Sequence, residues 1–340
     1  MGSLRKWTIA AVCLACLSAR ALADPPHKKP QRHKAPAPKE APIDPAAVND
    51  ASLTRTVGPG ASPNAVLRAQ ILLARAHFSS GEIDGKYGKG LGAAISDYQA
   101  ARGLSGTGTV DAATWKALNA DSSPALVRAP IAAEDVAGPF QPIPEDMMEK
   151  AKLEALTYSS PLEAIAERCH SSPALLKKLN PGASFEKAGE EIVVPNVLVA
   201  PPEKAASIVV SRSRRTVTAL DASGRTLARY PATSGSEHDP LPIGKWKILG
   251  VAKNPPFHYN PNLFWDAKEN DGKARIAPGP NNPVGVAWID LSKEHYGIHG
   301  TPEPSQIGKT QSHGCIRLTN WDVAELSAIV GPGTPAILEE

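Results

Sequence analysis

The placement of proline constrains this chain more than any other feature. Of 33 prolines, seven fall between residues 24 and 50, with five Lys or Arg and no aromatic residue, and five more (Pro124, Pro130, Pro139, Pro142, Pro144) fall within 121–154. Proline lacks the amide hydrogen and fixes φ, so neither stretch can run as a long helix or a central strand. The first also carries too little apolar surface to offset the entropy of ordering. We therefore expect a Pro-rich tether at 24–60 and a linker at 121–154, dividing the 340 residues into folded pieces, in keeping with roughly 100–200 residues per domain. With 42% hydrophobic residues, the chain as a whole is not low-complexity.

Residues 1–23 combine a basic start (Arg5, Lys6), an apolar run from Trp7 to Leu17 and Ala21-Leu22-Ala23, the pattern of a secretory signal peptide cleaved after Ala23. The run is too short for the roughly 20 apolar residues of a spanning helix, and no other stretch approaches that length. The expectation is an exported protein, in the periplasm or cell wall, with no stable membrane span after cleavage. Arg5, Lys6 and Arg20 account for the formal charge of +3; without them 34 basic residues face 34 acidic ones. Bulk charge gives no case for a nucleic-acid partner. Cys13 and Cys16 leave with the leader, so Cys169 and Cys315 remain.

Between the Pro-rich stretches, Leu67, Ile71 and Ala74, then Ala94, Ile95 and Tyr98, fall at helical spacing, and Asp84-Gly85 marks a tight turn. Asp111 is a plausible N-cap for a last helix burying Trp115 and Leu118. A small three-helix domain at 61–120 is expected. Leu67…Gln70…Leu73, Ile83-Asp84-Gly85-Lys86-Tyr87-Gly88, Tyr98-Gln99, Gly103-Leu104, Gly108-Thr109-Val110-Asp111 and Thr114-Trp115 resemble the peptidoglycan-binding type 1 family, which implies wall binding.

At 155–197, Ser160-Pro161-Leu162-Glu163 is a capping box, and Leu162, Ile165, Ala166 and Cys169 follow on one helical face. Ser172-Pro173 opens a second helix stopped by Asn180-Pro181-Gly182, and Ile192-Val193-Val194 reads as a strand. With Tyr158, Leu175 and Leu179-Asn180-Pro181, this segment resembles a LysM module, a βααβ fold whose relatives bind glycan strands; the usual Gly-Asp-Thr before the first helix is replaced by Ser159-Ser160-Pro161. Cys169 reads as a buried core thiol.

From 205 onward, short runs such as Ile208-Val209-Val210, Thr216–Leu220, Trp246–Leu249 and Val284–Ile289 alternate with turn clusters, which predicts an all-β domain with a late helix at 322–329. Its polar punctuation converges on His299-Gly300 and Ser312-His313-Gly314-Cys315-Ile316-Arg317-Leu318. A cysteine beside glycine with two nearby histidines suggests a thiolate nucleophile and an imidazole base. Such a thiol, ordinarily at pKa about 8.5, needs roughly 3.4 kcal/mol of differential stabilisation to reach about 6. On residue types alone three other readings stay open: His299, His313 and Cys315 as zinc ligands, a Cys169–Cys315 disulfide, and ordinary turn histidines.

These motifs, with Pro231-Ala232-Thr233-Ser234-Gly235, Pro242-Ile243-Gly244 and Asn281-Asn282-Pro283-Val284-Gly285, resemble the L,D-transpeptidase (YkuD-type) catalytic domain, which would span 205–338 and take a β-sandwich-like form. The resemblance implies Cys315 as nucleophile, His299 as base held in tautomer by a carbonyl near Gly300, and His313, Gly314 and the Cys315 amide around an oxyanion. Ser312 and Gly300 would orient the site, and Arg317 would organise the pocket or meet a stem-peptide carboxylate. It further implies peptidoglycan stem tetrapeptides as substrate, loss of the terminal D-alanine, 3-3 cross-links, and no cofactor or metal. The alternatives are an L,D-carboxypeptidase using the same thioester and a non-catalytic wall-binding protein.

Overall fold

The computed structural model describes residues 42–340. The expected export signal and the first part of the expected tether lie outside the described residues. The described tether residues are ordered, which corrects the boundary at 60. Asp44 caps a short helix α1 (Pro45–Asn49) by accepting from the Ala46 N–H, and Val48 and Val57 are fully buried. Each finds a partner the local composition does not reveal: Val48 packs with Leu67 and Ile71, and Val57 bridges to Val110.

The next three helices follow their caps. Ser62 accepts from the Ala65 N–H with Pro63 at the first position of α2 (Pro63–Arg75), α3 (Lys89–Ala101) begins after Gly88, and Asp111 accepts from the Thr114 N–H to start α4 (Ala112–Leu118). Trp115 and Leu118 are buried as expected, and the indole N–H donates to the Arg55 carbonyl at 2.8 Å.

The linker expectation at 121–154 is overturned. Leu126–Pro130 form strand β1, α5 (Met147–Lys150) follows, then α6 (Pro161–Arg168), α7 (Pro173–Leu179) and β2 (Glu191–Pro195). β1 pairs antiparallel with β2, Leu126 opposite Pro195 and Pro130 opposite Glu191. Pro130 ends the strand, where a missing donor costs little. Residues 126–195 thus run β1, α5, α6, α7, β2, and the strand that pairs with β2 comes from the Pro-rich stretch, not from residues near Tyr158. Ile131 and Val136 pack with Ile165 and Leu176 of the α6–α7 module, and the later part of the stretch lies on the β domain, with Ile143, Met147 and Leu153 clustering against Tyr259 and Ile276.

The large domain is built on strands β3 (Ser207–Ser211), β4 (Thr216–Leu220), β5 (Thr226–Pro231), β6 (Thr233–Ser234), β7 (Gly244–Lys253), β8 (Phe257–Tyr259), β9 (Ala274–Ile276), β10 (Ala287–Leu291), β11 (Gly297–His299) and β12 (Ile316–Arg317), helix α8 (Asn320–Ile329) and strand β13 (Pro335–Glu339). Nine of them form one sheet in the order β5-β4-β3-β13-β7-β10-β11-β12-β6, and β8 pairs with β9 alone. The long β7 pairs with β13 through its first residues and with β10 through its last, so it belongs to both halves. One core unites the halves and α8, including Val210, Tyr230, Ile289, Ile298, Ile316 and Leu326. Thr319 caps α8 by accepting from the Asp322 N–H, and the helix packs on β10 and β11.

The helical region closes directly onto this sheet. Residues 77–79 run beside β5: the Arg229 N–H donates to the His77 carbonyl at 2.8 Å and the Ser79 N–H to the Arg229 carbonyl at 2.9 Å. The Arg229 side chain, 2% exposed, pairs with Asp97 at 3.0 Å and donates to the Ser79 carbonyl. Ser79 donates to Asp322 at 3.0 Å, and His77 meets Glu325 at 3.0 Å. The α6 module docks in turn through Ile83, whose N–H and carbonyl bond to His170 and Ser172.

Candidate active site

Three adjacent strands build the site. β10 and β11 pair with Trp288 opposite His299, and β11 runs parallel to β12 with His299 opposite Arg317. Alternation turns Ile298 and Ile316 into the core, both fully buried, so Trp288, His299 and Arg317 form a row on the other face. Cys315 leads into β12 two residues before Arg317, and the Arg317 charge bears on both Cys315 and His299.

His299 is 5% exposed and stacks on Trp288 with ring centroids 5.4 Å apart. Its Nδ1 lies 2.7 Å from the Gly300 carbonyl. A carbonyl can only accept, so Nδ1 carries the proton and Nε2 keeps its lone pair. Burial pushes the imidazole pKa down to about 3, and the Arg317 charge adds to this against the Gly300 bond. The ring is neutral at physiological pH.

Cys315 is partly exposed. Its Sγ lies 3.7 Å from the His295 carbonyl and receives the Gly297 N–H. Desolvation pushes the thiol pKa up; the Gly297 N–H and Arg317 oppose it without overcoming it. This corrects the expectation of a preformed thiolate: the free site holds a neutral thiol beside a neutral imidazole. Cys169 and Cys315 are both free, so the disulfide alternative does not form.

The flanking residues divide into turn-formers and walls. Ser312 is buried, donates to the Cys315 carbonyl at 2.6 Å and accepts from the Gly235 N–H at 2.7 Å; it clips the nucleophile turn to the 231–235 stretch. Gly314 sits at φ +93, and a Cβ there would lie 2.8 Å from the Tyr296 ring, so both backbone and space require glycine. Gly300 lies under Asn320, whose Oδ1 would be 2.2 Å from a Cβ.

His313 is committed elsewhere. Its Nε2 meets Asp266 at 2.8 Å, its Nδ1 faces Arg317 at 3.5 Å, and its ring packs on Phe264 and Trp265. The two histidines therefore address different partners, and among the described residues no three metal-ligating side chains gather. Arg317, half-buried, has no carboxylate within ion-pair distance among the described residues, and Glu303 and Asp266 act on it only from further off. The Phe264-Trp265-Asp266 wall escaped sequence reasoning, although two adjacent aromatics in a turn-rich stretch, Trp265 60% exposed, were a signal of a binding surface.

A family model for the L,D-transpeptidase catalytic domain (YkuD) matches residues 205–338, and one described as "Putative peptidoglycan binding domain" matches residues 62–118. A Bacillus subtilis (strain 168) protein named "Putative L,D-transpeptidase YkuD" is 35% identical over 174 residues, 51% of this chain and 90% of that protein. The chain belongs to the L,D-transpeptidase family. Against "Probable L,D-transpeptidase ErfK/SrfK" of Escherichia coli (strain K12) this transpeptidase is 29% identical over 182 residues, 52% of its own length and 58% of the relative's. A solved L,D-transpeptidase from Mycobacterium smegmatis aligns at 20% identity with a TM-score of 0.32 over 45% of this chain and 64% of that one, too slight a likeness to add to the assignment. The enzyme thus joins a transpeptidase domain to a peptidoglycan-binding domain.

Proposed function

We propose that this L,D-transpeptidase is exported and forms 3-3 cross-links between peptidoglycan stem peptides, with Cys315 as nucleophile and His299 as general base. The carrying observation is the Nδ1–Gly300 bond of 2.7 Å, which leaves Nε2 unprotonated on a strand that pairs with the one Cys315 leads into. Because both groups rest neutral, proton transfer accompanies attack. As Sγ bonds to the carbonyl carbon of the third stem residue, Nε2 takes the thiol proton. The resulting imidazolium gives that proton to the nitrogen of D-alanine as the peptide bond breaks, leaving a thioester. An amine from a second stem then attacks the thioester, His299 takes its proton, and Sγ leaves.

The Gly314 and Cys315 N–H groups donate to no acceptor among the described residues, which suits them to the oxyanion. Arg317 lies next to the thiol without a carboxylate partner, which supports a role in meeting a stem carboxylate. His313, held by Asp266, shapes the wall on that side. In the α6–α7 module, a groove of about 490 Å³ lined by Ser160, Pro161, Leu162, Asn180, Gly182 and Phe185 supports the LysM-like reading as a seat for a glycan strand, and residues 62–118 would add a second hold on the wall.

Purified enzyme incubated with disaccharide tetrapeptides should yield 3-3 dimers and free D-alanine. Trimmed tripeptides without dimers would instead identify a carboxypeptidase. No product, with no carbapenem adduct on the reduced enzyme, would reject both in favour of a wall-binding protein.

A further inference from the structure

Two glutamates of α6 reach out of their own module and grip the loop on which the active-site base rests. Glu163 and Glu167 are one turn apart, so both side chains leave the same face of the helix. Glu163 accepts from the Asn281 amide at 2.8 Å. Both Glu167 oxygens lie within reach of the Asn320 amide nitrogen, at 3.0 and 3.1 Å, and one also takes the Tyr158 hydroxyl at 3.0 Å. Asn281 and Asn320 are 6% and 2% exposed, so these bonds are shielded from competing water.

Asn320 passes the constraint on. Its amide nitrogen also donates to the Pro280 carbonyl at 3.0 Å, and its Oδ1 accepts from the Val286 N–H at 3.2 Å, pinning both ends of the 280–286 loop. That oxygen lies directly against Gly300, and the Gly300 N–H donates to the Val284 carbonyl at 3.1 Å. The carbonyl of Gly300 is the group that holds His299 in its tautomer. Gly285, at φ +61, leaves no room for a side chain between Asn320 and Gly300, so movement of Asn320 transmits to Gly300 without slack.

We infer that Glu167 is a positioning residue for the transpeptidase reaction: through Asn320 it fixes Gly300 and hence the His299 ring. The wall-binding side of the molecule thereby supplies part of the support of the active centre. Residues 126–195 are a working part of the catalytic apparatus, beyond any role in adhesion. The inference rests on His299 as the base, and a readout that needs no turnover separates the two.

The test uses the full chain with Glu167→Ala, Glu167→Gln and Glu167→Asp. The Nδ1–H of His299, held by a buried carbonyl, gives a slowly exchanging downfield proton resonance, assigned by its loss in His299→Gln. Glu167→Ala should weaken or abolish that resonance and lower kcat about tenfold with KM within about twofold. Glu167→Gln keeps an acceptor for Asn320 and should restore both. If Glu167→Ala does not fold, Glu167→Asp decides, because it withdraws the carboxylate by one methylene with little loss of packing; a weakened resonance and lower kcat support the inference. A folded Glu167→Ala or Glu167→Asp with an unchanged resonance and kcat overturns it. A lost resonance with unchanged kcat upholds the positioning of the ring and rejects His299 as the base, overturning the catalytic part.

Discussion

The two cysteines among the described residues are both free and sit in opposite settings. Cys169 ends α6 inside an apolar cluster with Ile165, Leu176 and Ile192, and burial pushes its thiol up to about 11. Cys315 precedes strand β12 and is partly exposed, and its thiol is also raised. Burial therefore does not distinguish the reactive thiol from the inert one. The difference lies in what waits nearby: Cys315 has the Gly297 N–H, the Arg317 charge and, on the neighbouring strand, an imidazole with a free lone pair, whereas Cys169 has a hydrocarbon wall. A nucleophile can thus be stored neutral and activated on demand.

The largest expected effect separates the two outright. Cys315→Ala should abolish the carbapenem adduct in intact-mass measurement, while Cys169→Ala keeps it. His299→Ala should lower kcat/KM by about 10²–10⁴-fold; an unchanged value would reject the base and leave the comparison without its main term. Next comes the pH dependence of iodoacetamide alkylation. With a raised thiol pKa and an imidazole near 3, the rate at Cys315 should keep climbing above pH 8 with no plateau near 6, and Cys169 should remain unlabelled in the folded protein. A plateau near 6 would show a preformed thiolate.

Smaller effects fall on stability. Cys169→Ser places an unpaired hydroxyl in the cluster and should cost about 1–3 kcal/mol in denaturant unfolding with activity retained. The burial that lifts Cys169 also lifts two carboxyls at the module seams: Glu167, beside Tyr158 and Glu163, and Asp322, beside Glu325 and Arg229, are each pushed to about 7. Both bind protons more tightly folded than unfolded. Their contribution is complete below the ordinary carboxyl range and is lost as pH rises through about 7. Between pH 5 and 8 the Tm should fall by a few degrees, and by less in Glu167→Gln; an equal fall in both would remove Glu167 from the account.

The local parts of this architecture were readable in the sequence because their causes are local. The caps at Asp111, Ser160 and Ser172 start helices where the residue types demand, and the Ser-His-Gly-Cys turn lies beside the His299 strand. The capping box at Ser160 was half right: Ser160 accepts from the Glu163 N–H, but the Glu163 carboxylate turns to the Ser159 N–H and to Asn281, a partner 118 residues away. Strand β1 is hidden in the Pro-rich stretch because Leu126–Pro130 alternates too briefly to stand out and acquires strand character only from β2. The seams were illegible for the same reason. Arg229 meeting Asp97 or Glu167 meeting Asn320 leaves no period or spacing in the chain. Proline density misled most, since it excludes long regular elements without excluding packed irregular ones.

The pairing of residues 77–79 with Arg229 has a consequence for handling the enzyme in pieces. β5 is the outermost strand of the nine-stranded sheet, and the helical domain is what closes it. A fragment beginning at residue 205 would present that strand with bare amide and carbonyl groups and an arginine stripped of its carboxylate, an open invitation to edge-to-edge association between copies. The 340-residue chain carries its own cover for that edge and needs none from a neighbour.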